Sequence, residues 1–174
     1  MMPKQDSQST LSYSLTAFLG DLGSLPFTLL ALLMVQGYLA GPGLQSTSVL
    51  GLYAPYVFIA YSAVILSFLC GTLWAAARVS EPGFLPNAAI VLSNLLALSA
   101  WASLLLNYVA PIMTIFAVTL LLAGFLSLLW AERLLARQAG EPDRAYWSMR
   151  LRITALVAVW HVVVIYMMIQ ELYI

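Results

Sequence analysis

The chain has 174 residues, of which 63% are hydrophobic and 8% charged, and its mean hydropathy is +0.94. Soluble domains carry about 25% charged residues; this chain lacks the polar surface to enclose a water-soluble core, and lipid is its solvent. Zero net charge argues against nucleic acid as a partner, since no basic patch exists to displace counterions, and a single cysteine, Cys70, excludes an internal disulfide or a CxxC centre.

Residues Met1 to Thr10 are polar and are expected to be loose. The apolar run from Ala17 to Ala40 is too long for a signal-peptide core. Tyr38-Leu39-Ala40 also lacks the small-x-small cleavage pattern, so the first helix is expected to be retained. Arginine is missing from the N-terminal tail, unlike a mitochondrial transit peptide. Apolar segments follow at about 21–40, 53–77, 87–108, 110–131 and 153–174, each near the roughly 20 residues that span a bilayer as a helix. The breaks carry turn residues: Gly41-Pro42-Gly43, Glu81-Pro82-Gly83, and Asn107 to Pro111. No segment alternates like a barrel strand, and no internal repeat suggests an inverted-repeat transporter. The predicted fold is all-α, a polytopic membrane protein with one five-helix domain over residues 1–174.

Five spans put the N-terminus, the second loop and the fourth loop on one side. That side holds Lys4, Arg78, Arg133, Arg137, Arg144, Arg150 and Arg152, which are all seven lysines and arginines of the chain. By the positive-inside rule the N-terminus is inside and the C-terminus outside. The long charged connection, Glu132 to Arg152, is expected to hold a short membrane-surface helix. In it "WAERLLARQAG" continues the fourth helix with Glu132, Arg133 and Arg137 outward, and Gly140 stops it. Tyr146 and Trp147 suit an interfacial aromatic belt. The arginines read as headgroup anchors or as a surface for a partner protein.

Polar side chains within spans are costly and need explaining. His161 lies about 12 Å into the fifth helix at about 1.5 Å per residue, with Arg150, Thr154 and Met168 on its face. Asn94 stands at similar depth in the third helix, sharing a face with Asn87, Ala97 and Trp101. In the second, Ser67, Gly71, Trp74 and Arg78 form one stripe. These faces are expected to turn toward one another and away from lipid, forming a layer that is either packing or a pocket. A lone histidine supplies neither a proton relay nor the usual ligand pair of a b-type haem. Asp21 opens the first helix, where a carboxylate suits the macrodipole. It shares a level with Arg78 and Arg152, so an ion pair with one of them competes with a plain N-cap. Glu171 is expected to be solvated near the outer surface. There is no HExxH, GxSxG or phosphate-binding loop, and no catalytic or metal-ligating set emerges.

Three stretches together, "LGSLPF", "YSAVILSFLCGTLWA" and "WSMRLRITALV", resemble a family of small five-span proteins catalogued as a domain of unknown function. Its animal mitochondrial relative is called transmembrane protein 69. The resemblance runs from Leu22 to Val159 and is most specific at Ile65-Leu66-Ser67-Phe68 with Trp74, and at Trp147 with Arg150-Leu151-Arg152. In the family pattern a glycine is common where Cys70 stands, a histidine where Leu73 stands and a glycine where Ala75 stands. A family activity carried by that histidine would be lost here or taken over by His161. The resemblance implies a bacterial or mitochondrial inner-membrane protein and no established reaction, substrate or cofactor.

Three functions stay open. The first is a non-enzymatic accessory or assembly subunit of a larger inner-membrane complex of energy-transducing type, whose aromatic-rich surface suits protein partners. The second is a small transporter or channel-like protein with its polar layer at Asn94 and His161. The third binds a lipid or quinone through His161 or Trp74. The expected partners are membrane lipids and either a larger membrane protein or further copies of the chain. No cofactor is expected beyond a bound lipid or quinone.

Overall fold

The computed structural model describes residues 4–41, 43–140 and 144–172, with side chains from Phe18 onward except at Gln45 and Pro111. Five helices account for most of it: α1 (Lys4–Leu39), α2 (Ala54–Val79), α3 (Phe84–Leu106), α4 (Pro111–Ala139) and α5 (Arg144–Glu171). All five contain a stretch long and apolar enough to cross a membrane, which is the expected all-helical, multi-pass architecture. Each helix satisfies its own backbone hydrogen bonds, the requirement lipid imposes.

The boundaries follow local chemistry. Proline opens α4 and lies within the first turn of α2, where a missing N–H costs nothing. Gly140, at φ 122°, stops α4 as expected. Two expectations change. Helix α1 already runs from Lys4, so residues 4–10 are helical and not loose; Met1 to Pro3 lie outside the described residues. The fourth connection is shorter than expected: α4 runs unbroken through "WAERLLARQA" to Ala139, as expected, but α5 already begins at Arg144 instead of about residue 153. Residues 173 and 174 of the expected fifth span also lie outside the described residues.

The first connection holds a 3₁₀ turn (Leu44–Ser46) and a two-stranded antiparallel hairpin, β1 (Ser48–Val49) with β2 (Leu52–Tyr53). Leu50 and Gly51 at its tip both have positive φ, 51° and 79°, the conformation that a two-residue hairpin turn with native twist demands. Glu171 at the end of α5 accepts a hydrogen bond from the Leu44 backbone N–H. It is therefore half-buried and engaged with this loop, not simply solvated as expected.

Helices α1, α2, α4 and α5 close a ring in that order, and α3 packs outside it against α2 and α4. Helices α1 and α5 run parallel in a constant register. Arg152 meets Asp21 and the Trp160 indole donates to the Thr28 hydroxyl, at sequence offsets of 131 and 132. The Tyr61 hydroxyl ties α2 to the Gly23 carbonyl of α1 at 2.8 Å. At the α2–α4 crossing, Gly124 is buried against the side chain of Leu66, the close approach that small residues permit between membrane helices.

Candidate functional site

Each helix of the ring sends one ring-bearing side chain to its centre: Phe27 from α1, Phe58 from α2, Phe125 from α4 and His161 from α5. The His161 ring centroid lies 5.9, 4.8 and 5.5 Å from those of Phe27, Phe58 and Phe125 respectively. All four side chains are buried. His161 Nδ1 is 2.8 Å from the Val157 carbonyl. A carbonyl oxygen only accepts, so Nδ1 carries the hydrogen and Nε2 keeps a bare lone pair. That Nε2 is buried with no hydrogen-bond partner.

Over the next three turns toward the arginine-rich end, the same face of α5 carries Val157, Thr154 and Arg150, all buried. Arg150 Nε donates to Glu132 Oε2 of α4 at 2.8 Å, and its Nη1 donates to Thr154 Oγ1 at 3.1 Å. Both side chains of the ion pair are largely withdrawn from solvent, at 7% and 11% exposure. The shared face of Arg150, Thr154, His161 and Met168 is the expected one. Glu132 is not where the sequence reading put it: it turns inward to neutralise Arg150, while Arg133 and Arg137 do point outward. An available signal was position, since Glu132 and Arg150 lie nearly equidistant from the α4–α5 turn and antiparallel neighbours bring such residues level.

Of the two arginines offered for Asp21, the structure selects Arg152, whose Nη2 lies 2.7 and 2.8 Å from the two carboxylate oxygens. Arg78 instead places its guanidinium 5.0 Å from the centroid of the Trp74 ring, a cation–π contact.

The expected polar layer does not form within the chain. Ser67, Gly71, Trp74 and Arg78 all lie on the outer surface of α2, and Asn94 lies on the outer surface of α3. Only His161 points into the core. The premise that a polar group must turn inward fails because these helices satisfy side chains locally. Asn94 Nδ2 donates to its own helix at the Ile90 carbonyl, 2.8 Å away, and Thr72 and Thr119 do the same to Leu69 and Ile115. Apart from the neighbouring backbone of its own helix, nothing lies within 4 Å of a β-carbon placed on Gly71. With Ser67 and Ala75 it forms an exposed run of small residues at four-residue spacing on a helix whose opposite face is core.

At the arginine-rich end, a cleft of about 860 Å³ opens between the C-terminal halves of α2 and α4 and the start of α5. Its walls include Leu73, Ala76, Glu132, Leu135, Tyr146 and Trp147. Neither His161 nor Trp74 lines it. Among the described residues, no group of three or more His, Cys, Asp or Glu side chains could hold a metal ion.

Residues 13–166 match the family described as a protein of unknown function, DUF3429. The chain belongs to the DUF3429 family. That match spans the Asp21–Arg152 pair, the His161 box and the exposed α2 stripe. No curated protein and no solved structure matches this DUF3429 chain.

Proposed function

We propose that this DUF3429 protein is a non-enzymatic accessory or assembly subunit of a larger, energy-transducing complex of a bacterial or mitochondrial inner membrane. In this reading the N-terminus is inside, the C-terminus outside, and transmembrane protein 69 is a relative. One observation carries the docking role: Ser67, Gly71 and Ala75 make an exposed strip of small residues, flanked by Phe68 and Trp74, on the side of α2 away from the core. In lipid no hydrophobic force drives helices together, and such strips let a second helix approach closely enough for dispersion to do so. The Trp74 ring and Arg78 extend the strip to the membrane surface. The transporter reading keeps Asn94 and His161 as its residues, with Asn94 exposed on α3 and His161 among three phenylalanines.

Purification from native membranes in mild detergent tests the proposal. We expect a much larger complex to co-purify with the wild-type chain and not with Gly71→Leu, while the variant remains folded and inserted. Co-purification of nothing but further copies of the chain would refute the accessory role. Retention of the complex by Gly71→Leu would remove the docking strip.

A second reading rests on the cleft beside Tyr146 and Trp147, whose size and amphipathic walls suit a lipid or quinone headgroup. A stoichiometric extractable lipid or quinone, lost on Ala76→Trp, would support it.

A further inference from the structure

The end of the bundle away from the arginines carries a second cleft, of about 530 Å³. It lies where the N-terminus of α2, the α3–α4 turn and the C-terminus of α5 meet. Tyr53, Tyr56, Asn107, Thr114 and Glu171 are among its walls. Its chemistry is one-sided. Every lysine and arginine in the sequence lies at the opposite ends of the helices, and the one charged group lining the cleft is the Glu171 carboxylate.

Asn107 is more than nine-tenths buried, and its Oδ1 has no hydrogen-bond partner. A buried acceptor left without a partner is costly, and a rotation of the amide would turn this oxygen from the interior toward the cleft, where a donor can meet it. Tyr53 and Tyr56 stand edge to face at 4.9 Å. The Tyr56 hydroxyl donates to the Asn107 backbone carbonyl at 3.3 Å, which holds the α3–α4 turn against α2. The Tyr53 phenol is pushed up to about 12, first by burial and then by the Glu171 and Tyr56 charges, and so keeps its proton at physiological pH.

We propose that this cleft binds a primary ammonium group. Glu171 supplies the counter-charge, the Thr114 hydroxyl accepts one N–H bond, and the Asn107 amide oxygen accepts another once the amide has turned toward the cleft. The aromatic walls favour a cation over a neutral donor. Bound here, the group would lie at the membrane–water boundary, open both to a free alkylammonium solute and to the headgroup of an ethanolamine phospholipid. The proposal is independent of the α2 strip, which lies on another surface.

The test uses the full-length protein in phosphatidylcholine nanodiscs. Ethanolamine is titrated against intrinsic fluorescence and thermal stability, with tetramethylammonium as a cation that has no N–H donor. A parallel arm measures lipid retention by native mass spectrometry in nanodiscs mixing phosphatidylethanolamine and phosphatidylcholine. Saturable binding of ethanolamine but not tetramethylammonium identifies a free-ammonium site. Selective retention of phosphatidylethanolamine without soluble ethanolamine binding identifies the lipid headgroup as the source. In either case Glu171→Gln should weaken binding by about tenfold or more, the loss of a charge-assisted contact. Because Glu171 also holds Leu44, Thr114→Val provides a second variant that leaves that tie intact and should weaken binding too. The proposal is overturned if neither ammonium source binds saturably, if tetramethylammonium binds as well as ethanolamine, or if both folded variants bind like wild type.

Discussion

Glu132 and Arg150 form an ion pair across the α4–α5 interface, at 2.8 Å and nearly sealed from solvent. It lies about three turns along the same α5 face from His161, so the core of the ring grades from aromatic to ionic toward the arginine-rich end. Removing one member of such a pair leaves the other charged and buried, at a cost on the order of 3–5 kcal/mol, whereas replacing both with apolar residues is often neutral. We expect Arg150→Met or Glu132→Leu alone to lower unfolding stability in detergent markedly. The double variant Arg150→Met with Glu132→Leu should recover much of the loss. Additive losses in that cycle would show that the two residues act separately.

The Asp21–Arg152 contact has similar geometry and a different energetic weight, because its side chains are 51% and 65% exposed. Exposed pairs contribute roughly 0–1 kcal/mol and are screened by salt. Asp21→Asn should shift the melting temperature by little, with the difference shrinking at high ionic strength. A large, salt-independent loss would contradict this.

Glycines Gly71 and Gly124 should respond oppositely to the same substitution. A β-carbon at Gly124 meets Leu66 Cδ2 at 2.6 Å, while one at Gly71 has no neighbouring helix within 4 Å. Overpacking a closely fitted site costs about 1–3 kcal/mol, so Gly124→Leu should destabilise the monomer and Gly71→Leu should not. Comparing denaturation midpoints of the two purified variants decides the point.

His161 Nε2 places a buried unpaired acceptor in the aromatic box, and the ring makes one intrahelical hydrogen bond through Nδ1. His161→Leu removes that burden at little cost in volume. We expect the folded, inserted protein to persist, with stability changed by under about 1.5 kcal/mol. If the variant folds normally yet the process disturbed by deletion of the gene fails, His161 has a role beyond packing.

Side-specific labelling tests the proposed orientation. Cys70 is buried, so cysteines introduced at Leu50, at the tip of the exposed hairpin, and at Arg137 report without interference. They should label from opposite sides, Arg137 from the cytoplasm or matrix. Labelling of both from one side would end the five-span topology.

Sequence by itself determined the solvent, the number and approximate place of the helices, and the α5 face that joins Arg150, Thr154 and His161. These follow from composition and from a 3.6-residue period, both local properties of a chain whose backbone must be satisfied within each span. It could not determine which faces turn inward. In water, polarity separates surface from core; in lipid the bundle's outside is as apolar as its interior, and a hydroxyl or amide can bond to its own helix. Asn94 does so at the Ile90 carbonyl and stays outside, and Ser67 and Trp74 stay outside with it. Glu132 turns inward because Arg150 is there to meet it. Both outcomes depended on the lateral order of the helices, with α3 outside the ring and α1 beside α5, and only the tertiary structure decided that order, because apolar surfaces of equal greasiness are sorted by shape and pairing rather than by hydrophobicity.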